Sequence, residues 1–90
     1  MVSAADMERY LGEVQALVIE VQASCTGLDV ASASHLIDHG EPAEGLRSLA
    51  WEVVEGGHRL NANHYERLLR LTEGLVAPSD LPPTLAEHVG

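Results

Sequence analysis

Apolar residues recur at intervals of three and four along the first third of the chain, a spacing that places them on one face of an α-helix. The members of this series are Met7, Leu11, Val14, Val18, Val21, Cys25 and Leu28. Tyr10 and Leu17 widen the series to the breadth of a core-facing helix. Ser3 can cap this helix, and Asp6 falls near its positive end. The pattern therefore predicts a long first helix that packs on others.

Two further helices are predicted before the adjacent glycines Gly56 and Gly57, which end the third one. Asp29 can cap the second helix, and Gly40 suits the left-handed conformation at which helices often end. Pro42 then fits the first turn of the third helix, where its missing N–H removes no hydrogen bond. The predicted core residues are Val30, Ala33, Leu36 and Ile37 on the second helix and Leu46, Leu49, Ala50 and Val53 on the third.

The fourth helix has two alternative starting points. Asn63 with Glu66 has the spacing of a capping box, whereas a cap at Asn61 would let Leu60 pack on Tyr65. The pattern does not choose between them. The predicted core residues that follow are Tyr65, Leu68, Leu69, Leu75 and Val76.

Prolines interrupt the helical pattern toward the end of the sequence, before a short turn around Leu85 and Val89. The interrupting residues are Pro78, Pro82 and Pro83. We expect an all-α fold, a small four-helix bundle with a short C-terminal turn or helix, its helices antiparallel or nearly so. Residues 1–77 would form a single helical domain, and residues 78–90 a tail that packs on it or frays from it.

The composition adds constraints on the core and on the cellular setting. Apolar residues make up 46% of the chain, but it has no Phe, one Trp and two Tyr, so the core must be built from Leu, Val, Ile and Ala. The single cysteine, Cys25, excludes an intramolecular disulfide, and the N-terminus shows no leader pattern. We therefore expect a cytoplasmic protein. No apolar run approaches the roughly 20 residues that span a bilayer, so no membrane segment is expected.

Charge favours a protein partner over a nucleic acid. The chain has fourteen acidic residues, five arginines and no lysine, for a formal net charge of −9 at pH 7. Such a surface repels phosphate, and direct nucleic-acid binding is not expected. The excess of acids lies in the first three helices, so a basic partner is favoured, although acidity also serves solubility alone. The arginines in the second half of the chain could instead form ion pairs with acids on neighbouring helices; these are Arg59, Arg67 and Arg70.

A tryptophan flanked by carboxylates on the third helix is the best candidate contact surface. Tryptophan is enriched among the residues that contribute most to protein interfaces, and carboxylates at the rim steer a cationic partner. The alternative is that Trp51 covers the edge of its own core. The predicted partner-binding residues are Asp38, Glu41, Glu44, Arg47, Trp51, Glu52 and Glu55.

Other chemistry is less well supported by the sequence. His35 and His39 have the i, i+4 spacing of two ligands for one metal, but no motif imposes further ligands. Cys25 lies on an apolar stripe without a basic neighbour in sequence, where a thiol is inert. We therefore predict no enzyme activity, no cofactor and no metal.

The segment from Leu36 to Leu75 carries a family resemblance. The run His39-Gly40-Glu41-Pro42 is followed by a leucine-rich helix that closes at Glu55. Leu36-Ile37 before this run and Tyr65-Glu66-Arg67 after it fit the same pattern, which resembles the MafI family of bacterial immunity proteins. The sequence departs from the family at three positions, where Ala, an acid and a polar residue are usual. These positions are Gly45, Arg47 and Trp51.

The resemblance implies a cytoplasmic antidote that binds a secreted or contact-delivered toxin, often a nuclease. The basic substrate groove of a nuclease would suit the acidic face described above. We therefore expect an immunity protein that acts by stoichiometric binding as a monomer or homodimer. The alternative is a small helical adaptor or regulatory subunit that oligomerises through the heptad-like stripe of its first helix.

Overall fold

The computed structural model describes residues 3–90, and its regular structure consists of helices joined by short turns and loops. The four α-helices are α1 (Ala4–Ser24), α2 (Ala31–Asp38), α3 (Pro42–Glu55) and α4 (Ala62–Thr72), followed by 3₁₀ turns at Pro78–Asp80 and Leu85–His88. The all-α prediction is confirmed, while the antiparallel bundle stays a prediction. The first two residues of the predicted 1–77 domain lie outside the described part. None of the helices within residues 3–90 is both long enough and apolar enough to cross a membrane.

The start of α1 is fixed by the predicted cap. The hydroxyl of Ser3 accepts a hydrogen bond from the Asp6 N–H at 3.1 Å, and the Asp6 carboxylate accepts one from the Ser3 N–H at 3.4 Å. This reciprocal pair satisfies two N–H groups that the first turn of a helix leaves unpaired.

The predicted stripe of α1 is the centre of the hydrophobic core, with Val14, Leu17 and Val21 fully buried. The prediction is wrong for Met7, whose side chain is 53% exposed. Met7 lies in the first turn of α1, where the helix borders an open cleft beside Pro42 instead of a neighbouring helix. Periodicity identified the face of α1 but not how far along the helix that face is covered.

The sharp turn between α2 and α3 follows the predicted glycine and proline. Gly40 has a φ of +81°, and Pro42 occupies the first position of α3. The start of α2 differs from the prediction, because the residue that precedes the helix is Val30. The Asp29 carboxylate instead accepts a hydrogen bond from the Ala31 N–H at 2.9 Å, within the turn that leads into α2.

The α2 and α3 helices form the most extensive helix–helix contact in the fold. A glycine on α3 makes this close approach feasible, because a Cβ atom at Gly45 would lie 2.7 Å from Cγ1 of Ile37 and 2.9 Å from the carbonyl oxygen of Ala33. The predicted buried stripe of α3 is confirmed. Its members Leu46, Leu49, Ala50 and Val53 are all fully buried.

Of the two alternative caps for α4, the structure uses Asn61, whose side chain accepts a hydrogen bond from the His64 N–H at 2.7 Å. Its buried face is formed by His64, Leu68, Leu71 and Thr72. The prediction is wrong for Leu69 and Leu75, which are 37% and 60% exposed. The helix ends at Thr72 and the chain then turns at Gly74, so the predicted register does not continue to Leu75.

The C-terminal segment packs on the helices. Leu85 belongs to the hydrophobic core and is only 3% exposed. Leu60 donates its N–H to the carbonyl of His88 at 2.8 Å and accepts from the Gly90 N–H at 3.0 Å, which forms an isolated parallel bridge with Val89. The last residues of the chain are therefore held against the α3–α4 connection.

Candidate partner-binding surface

Two of the predicted contact residues on α3, Glu44 and Arg47, form an ion pair. Nε of Arg47 lies 2.7 Å from Oε2 of Glu44, one helical turn away, and both side chains are about two-fifths exposed. A pair of this kind contributes little to stability because water screens it. Its charges cancel, so these two residues add no net negative charge to the surface.

Trp51 lies on the same side of α3 and is half-buried. Its indole N–H donates to the carbonyl oxygen of Asp80, in the first 3₁₀ turn of the C-terminal segment, at 2.8 Å. The alternative prediction, that Trp51 covers the edge of its own core, therefore describes part of its role, because the ring contacts the C-terminal segment where this segment meets α3. A partner would meet the exposed part of the ring and not its polar N–H group.

The remaining predicted residues are carboxylates at two ends of the surface. Glu52 is half-buried and Glu55 exposed, near the C-terminus of α3. Asp38 and Glu41 are exposed near its N-terminus. At a rise of about 1.5 Å per residue, Glu41 and Glu55 lie roughly 21 Å apart along the helix axis. The structure thus spreads the predicted set along α3 and does not gather it at a single point.

The acidic surface is mostly unneutralised. Within residues 3–90, eleven of the fourteen side-chain carboxylates make no ion pair. The three that do are Asp6 with Arg9 at 4.0 Å, Glu20 with Arg67 at 2.8 Å, and Glu44 with Arg47. The exterior of the protein therefore has a strong negative potential that would attract a cationic macromolecule.

The strongest ion pair joins α1 to α4. Arg67 donates from both terminal nitrogens to Glu20, at 2.8 and 2.9 Å, and also to the amide oxygen of Asn63 at 3.2 Å. These hydrogen bonds from Arg67 lower the pKa of Glu20 to about 2, and the same contact raises the pKa of Arg67. Pairing of Arg67 with a neighbouring helix is among the alternatives predicted from the sequence, but its partner lies 47 residues away and local patterns do not identify it.

His64 lies beside this ion pair and was not anticipated. The residue is buried, with Nε2 at 3.4 Å from Oε1 of Glu20, whereas Nδ1 has no hydrogen-bond partner within residues 3–90. Its helical register gives one signal, since positions 64, 68, 71 and 72 share a helix face. Because His64 is polar, the periodicity of apolar residues does not include it.

An open apolar cleft of roughly 350 Å³ lies between the N-termini of α1 and α3. Met7 and Tyr10 form one wall, Pro42 and Ala43 the other, and Leu75 lies at one end. The Tyr10 hydroxyl donates to the carbonyl of Leu71 at 2.6 Å, and burial raises the pKa of this phenol. Met7 and Leu75 were predicted to be core residues, so the cleft that they line was not predicted.

The paired histidines on α2 make a local contact. The rings of His35 and His39 have centroids 4.1 Å apart and are tilted by 35°, and Nδ1 of His39 lies 2.8 Å from the His35 carbonyl oxygen. Both side chains are exposed. Among the described residues 3–90, no group of three or more His, Cys, Asp or Glu side chains is arranged to hold a metal ion.

The single thiol is enclosed, as its place on the α1 stripe predicts. Cys25 is 4% exposed, and its Sγ donates to the carbonyl oxygen of Arg59 at 3.2 Å. Burial raises the pKa of this thiol, because the thiolate would lose its hydration.

The chain matches no protein-family model, no curated protein and no solved structure. The resemblance to MafI-type immunity proteins therefore depends on the residues of the segment from Leu36 to Leu75. Two local features of that segment have a structural role here, since Gly40 adopts the left-handed conformation and Pro42 starts α3.

Proposed function

We propose that this protein is an immunity protein of the MafI type, which neutralises a secreted or contact-delivered toxin by binding it in the cytoplasm. The partner would be a basic toxin domain, such as a nuclease. The protein would act by stoichiometric binding, without catalysis, cofactor or nucleic-acid contact. It would do so as a monomer or homodimer.

The observation that carries this proposal is the unneutralised acidic exterior. Most carboxylates of the chain make no ion pair within residues 3–90, although five arginines are present. Such a field speeds the encounter with a cationic protein and makes the association rate sensitive to salt. The net charge of −9 lies at the upper edge of the magnitude of about 2 to 8 that serves the solubility of a small domain.

The α3 surface supplies the contacts that support binding to such a partner. Glu52 and Glu55 provide charge at one end of the helix, and the half-buried ring of Trp51 provides apolar area beside them. Because the Asp80 carbonyl already accepts the indole N–H, the ring is held in a fixed orientation and loses little freedom on binding. All the predicted partner-binding residues lie in the Leu36–Leu75 segment, which carries the family resemblance. Only Asp80, whose carbonyl accepts from Trp51, lies outside it.

Co-expression with the toxin domain encoded by the adjacent gene tests the proposal. We expect a stable complex, protection of cells from the toxin, and tighter capture at low salt. The double variant Glu52→Gln with Glu55→Gln should slow association, whereas Glu66→Gln with Glu73→Gln removes two exposed carboxylates outside α3 and serves as the matched control. If neither a complex nor protection is found, the proposal is wrong.

The alternative function, an adaptor that oligomerises through its first helix, stays a prediction, but it requires contact residues on α1 other than the buried stripe. Val14 and Val18, two members of the stripe through which it would oligomerise, are buried within the monomer. A second copy would have to use another part of α1, such as Ile19, which is 66% exposed. A homodimer in solution that Ile19→Glu dissociates would favour this alternative.

A further inference from the structure

The cleft between the N-termini of α1 and α3 continues as a single groove around Met7. A second opening, lined by Leu11, Ile37 and Gly40, shares Met7, Tyr10 and Pro42 with the first. Both openings are predominantly apolar. The groove is therefore apolar on both sides of the three residues that its two openings share.

Two large apolar side chains are left exposed at this groove. Met7 is 53% exposed and Leu75 is 60% exposed, and both line the first opening. Scattered exposed apolar residues are ordinary on a protein surface, but two on one concave surface mark a binding groove. The exposed apolar area is thus concentrated where a partner side chain could be enclosed.

The margin of the groove is acidic. Asp6 and Glu41 border one opening and Glu8 borders the other, and no arginine or histidine lines either. The nearest cation in sequence, Arg9, is highly exposed and lies 4.0 Å from Asp6, a weak pair that water screens. A residue that enters the groove would therefore be met by an apolar floor and a negative rim.

We infer that this groove receives an apolar side chain from a basic segment of the protein partner. The inference rests on the proposed function, because the partner is the same cationic protein, and it identifies where that partner is anchored. Charge complementarity selects the occupant, since arginines or lysines beside an apolar anchor would meet Glu8 and Glu41. An amphipathic helix that lies in a hydrophobic groove is an established way to combine the two.

The walls of the groove are suited to this role. Tyr10 is fixed by its hydrogen bond to the Leu71 carbonyl, and Pro42 is rigid by its ring. Met7 is flexible and adapts to the shape of an inserted side chain. The fixed positions of Tyr10 and Pro42 lower the entropy lost on binding, while the flexible Met7 side chain completes the contact.

The test uses a short helical peptide with leucines on one face and arginines at their margins. Two matched peptides separate the contributions, one with its central leucine replaced by serine and one with its arginines replaced by glutamates. We expect the first peptide to shift the NMR signals of the Met7 and Leu75 methyl groups. Both matched peptides should bind more weakly, because each lacks one half of the recognition.

Variants of the protein locate the binding site. Met7→Ser and Leu75→Ser should each weaken the peptide about tenfold, the loss expected for one apolar contact of this size. Ile19→Ser is the control, because it removes an equally exposed apolar side chain from α1 outside the groove. All three side chains are more than half exposed, so the variants should fold.

Charge variants complete the test. Glu8→Gln with Glu41→Gln should weaken the peptide roughly two- to fivefold at low salt, with the difference disappearing at high salt. The matched control, Glu66→Gln with Glu87→Gln, removes two exposed carboxylates that line neither opening and should leave peptide affinity unchanged. Failure of the leucine–arginine peptide to bind, equal binding of the serine peptide, or signal shifts confined to the region of Trp51 would each overturn the inference.

These failures are distinguishable from a failure of the proposed function. A toxin that forms a complex sensitive to Glu52 and Glu55 but indifferent to Met7→Ser would leave the function standing without the groove. A homodimer that Leu75→Ser dissociates would show that a second copy fills the groove and would also overturn the inference. Loss of both the complex and protection would remove the function whatever the peptide does.

Discussion

Gly45 on α3 lies so close to Ile37 on α2 that a Cβ atom at position 45 would stand 2.7 Å from Cγ1 of Ile37. The same Cβ would lie 2.9 Å from the backbone oxygen of Ala33. Neither atom can move away without shifting α2, since one belongs to the inner part of a buried side chain and the other to the backbone. The glycine at position 45 is therefore required by the packing of α3 on α2.

We predict that Gly45→Ala destabilises the protein by about 1–2 kcal/mol, because overpacking outweighs the gain in helix propensity. The matched control is Gly12→Ala on α1, where a Cβ atom meets nothing within 4 Å. That variant should stabilise the protein by about 0.5–1 kcal/mol. Urea denaturation of both variants checks the pair, and a stabilising Gly45→Ala would show that the α2–α3 contact is looser than described.

The Glu20–Arg67 ion pair makes stability depend on pH. The pKa of Glu20 is lowered from 4.5 to about 2, mainly by its hydrogen bonds from Arg67. Since the folded-state pKa is below the unfolded one, the stabilisation is complete above pH about 4.5 and is lost as the pH falls toward about 2. Glu20→Gln should therefore lose less stability than the wild type across this range.

The control for this experiment is Glu66→Gln on α4, which removes a carboxylate that forms no ion pair within residues 3–90. It should retain the wild-type loss of stability between pH about 4.5 and about 2. Because the Glu20 side chain is 47% exposed, added salt should reduce the effect. An identical pH profile for Glu20→Gln and the wild type would contradict the prediction.

The tail contributes to the core through Leu85. We predict that Leu85→Ala lowers the free energy of unfolding by about 2–3 kcal/mol, since it removes a buried side chain from the main cluster. Leu75→Ala removes the same atoms from a side chain that is 60% exposed and should be nearly neutral. Thermal unfolding followed by circular dichroism compares them. If the two variants were equally stable, the C-terminal segment would not be packed on the core through Leu85.

We predict that the buried thiol of Cys25 reacts slowly with thiol-specific reagents. Cys25 is the only cysteine of the chain, so a thiol-specific reagent reports on it alone. Its raised pKa and burial reduce the accessible thiolate, and labelling should wait for local or global opening. Labelling should thus be slow in the native state and fast in denaturant. Rapid native-state labelling would place the thiol outside the core.

Local signals allowed several elements to be predicted from the sequence. The Ser3 cap, the left-handed Gly40 and the first-turn Pro42 each depend on residues within a few positions, and the structure contains all three. Helix faces were predictable for the same reason. The extent of their coverage was not, because the exposure of Met7 and Leu75 depends on where other helices end.

The candidate surface depends on contacts that are distant in sequence, and these were beyond prediction. Glu20 and Arg67 lie 47 residues apart, and the carbonyl that accepts from Trp51 lies 29 residues away. Charge composition indicated an acidic exterior but not which carboxylates are paired. The groove went unpredicted because the same hydropathy that marks a core residue also marks an exposed binding residue.

The bond between Trp51 and the Asp80 carbonyl couples the protein's sole indole to its C-terminal segment. Tryptophan emission is therefore an intrinsic optical reporter of how that segment is seated, with no label required. Detachment of the segment would admit water to the ring and move the emission to longer wavelength, and a toxin that covers α3 would move it the other way. One spectrum could thus tell the occupied protein from the loosened one.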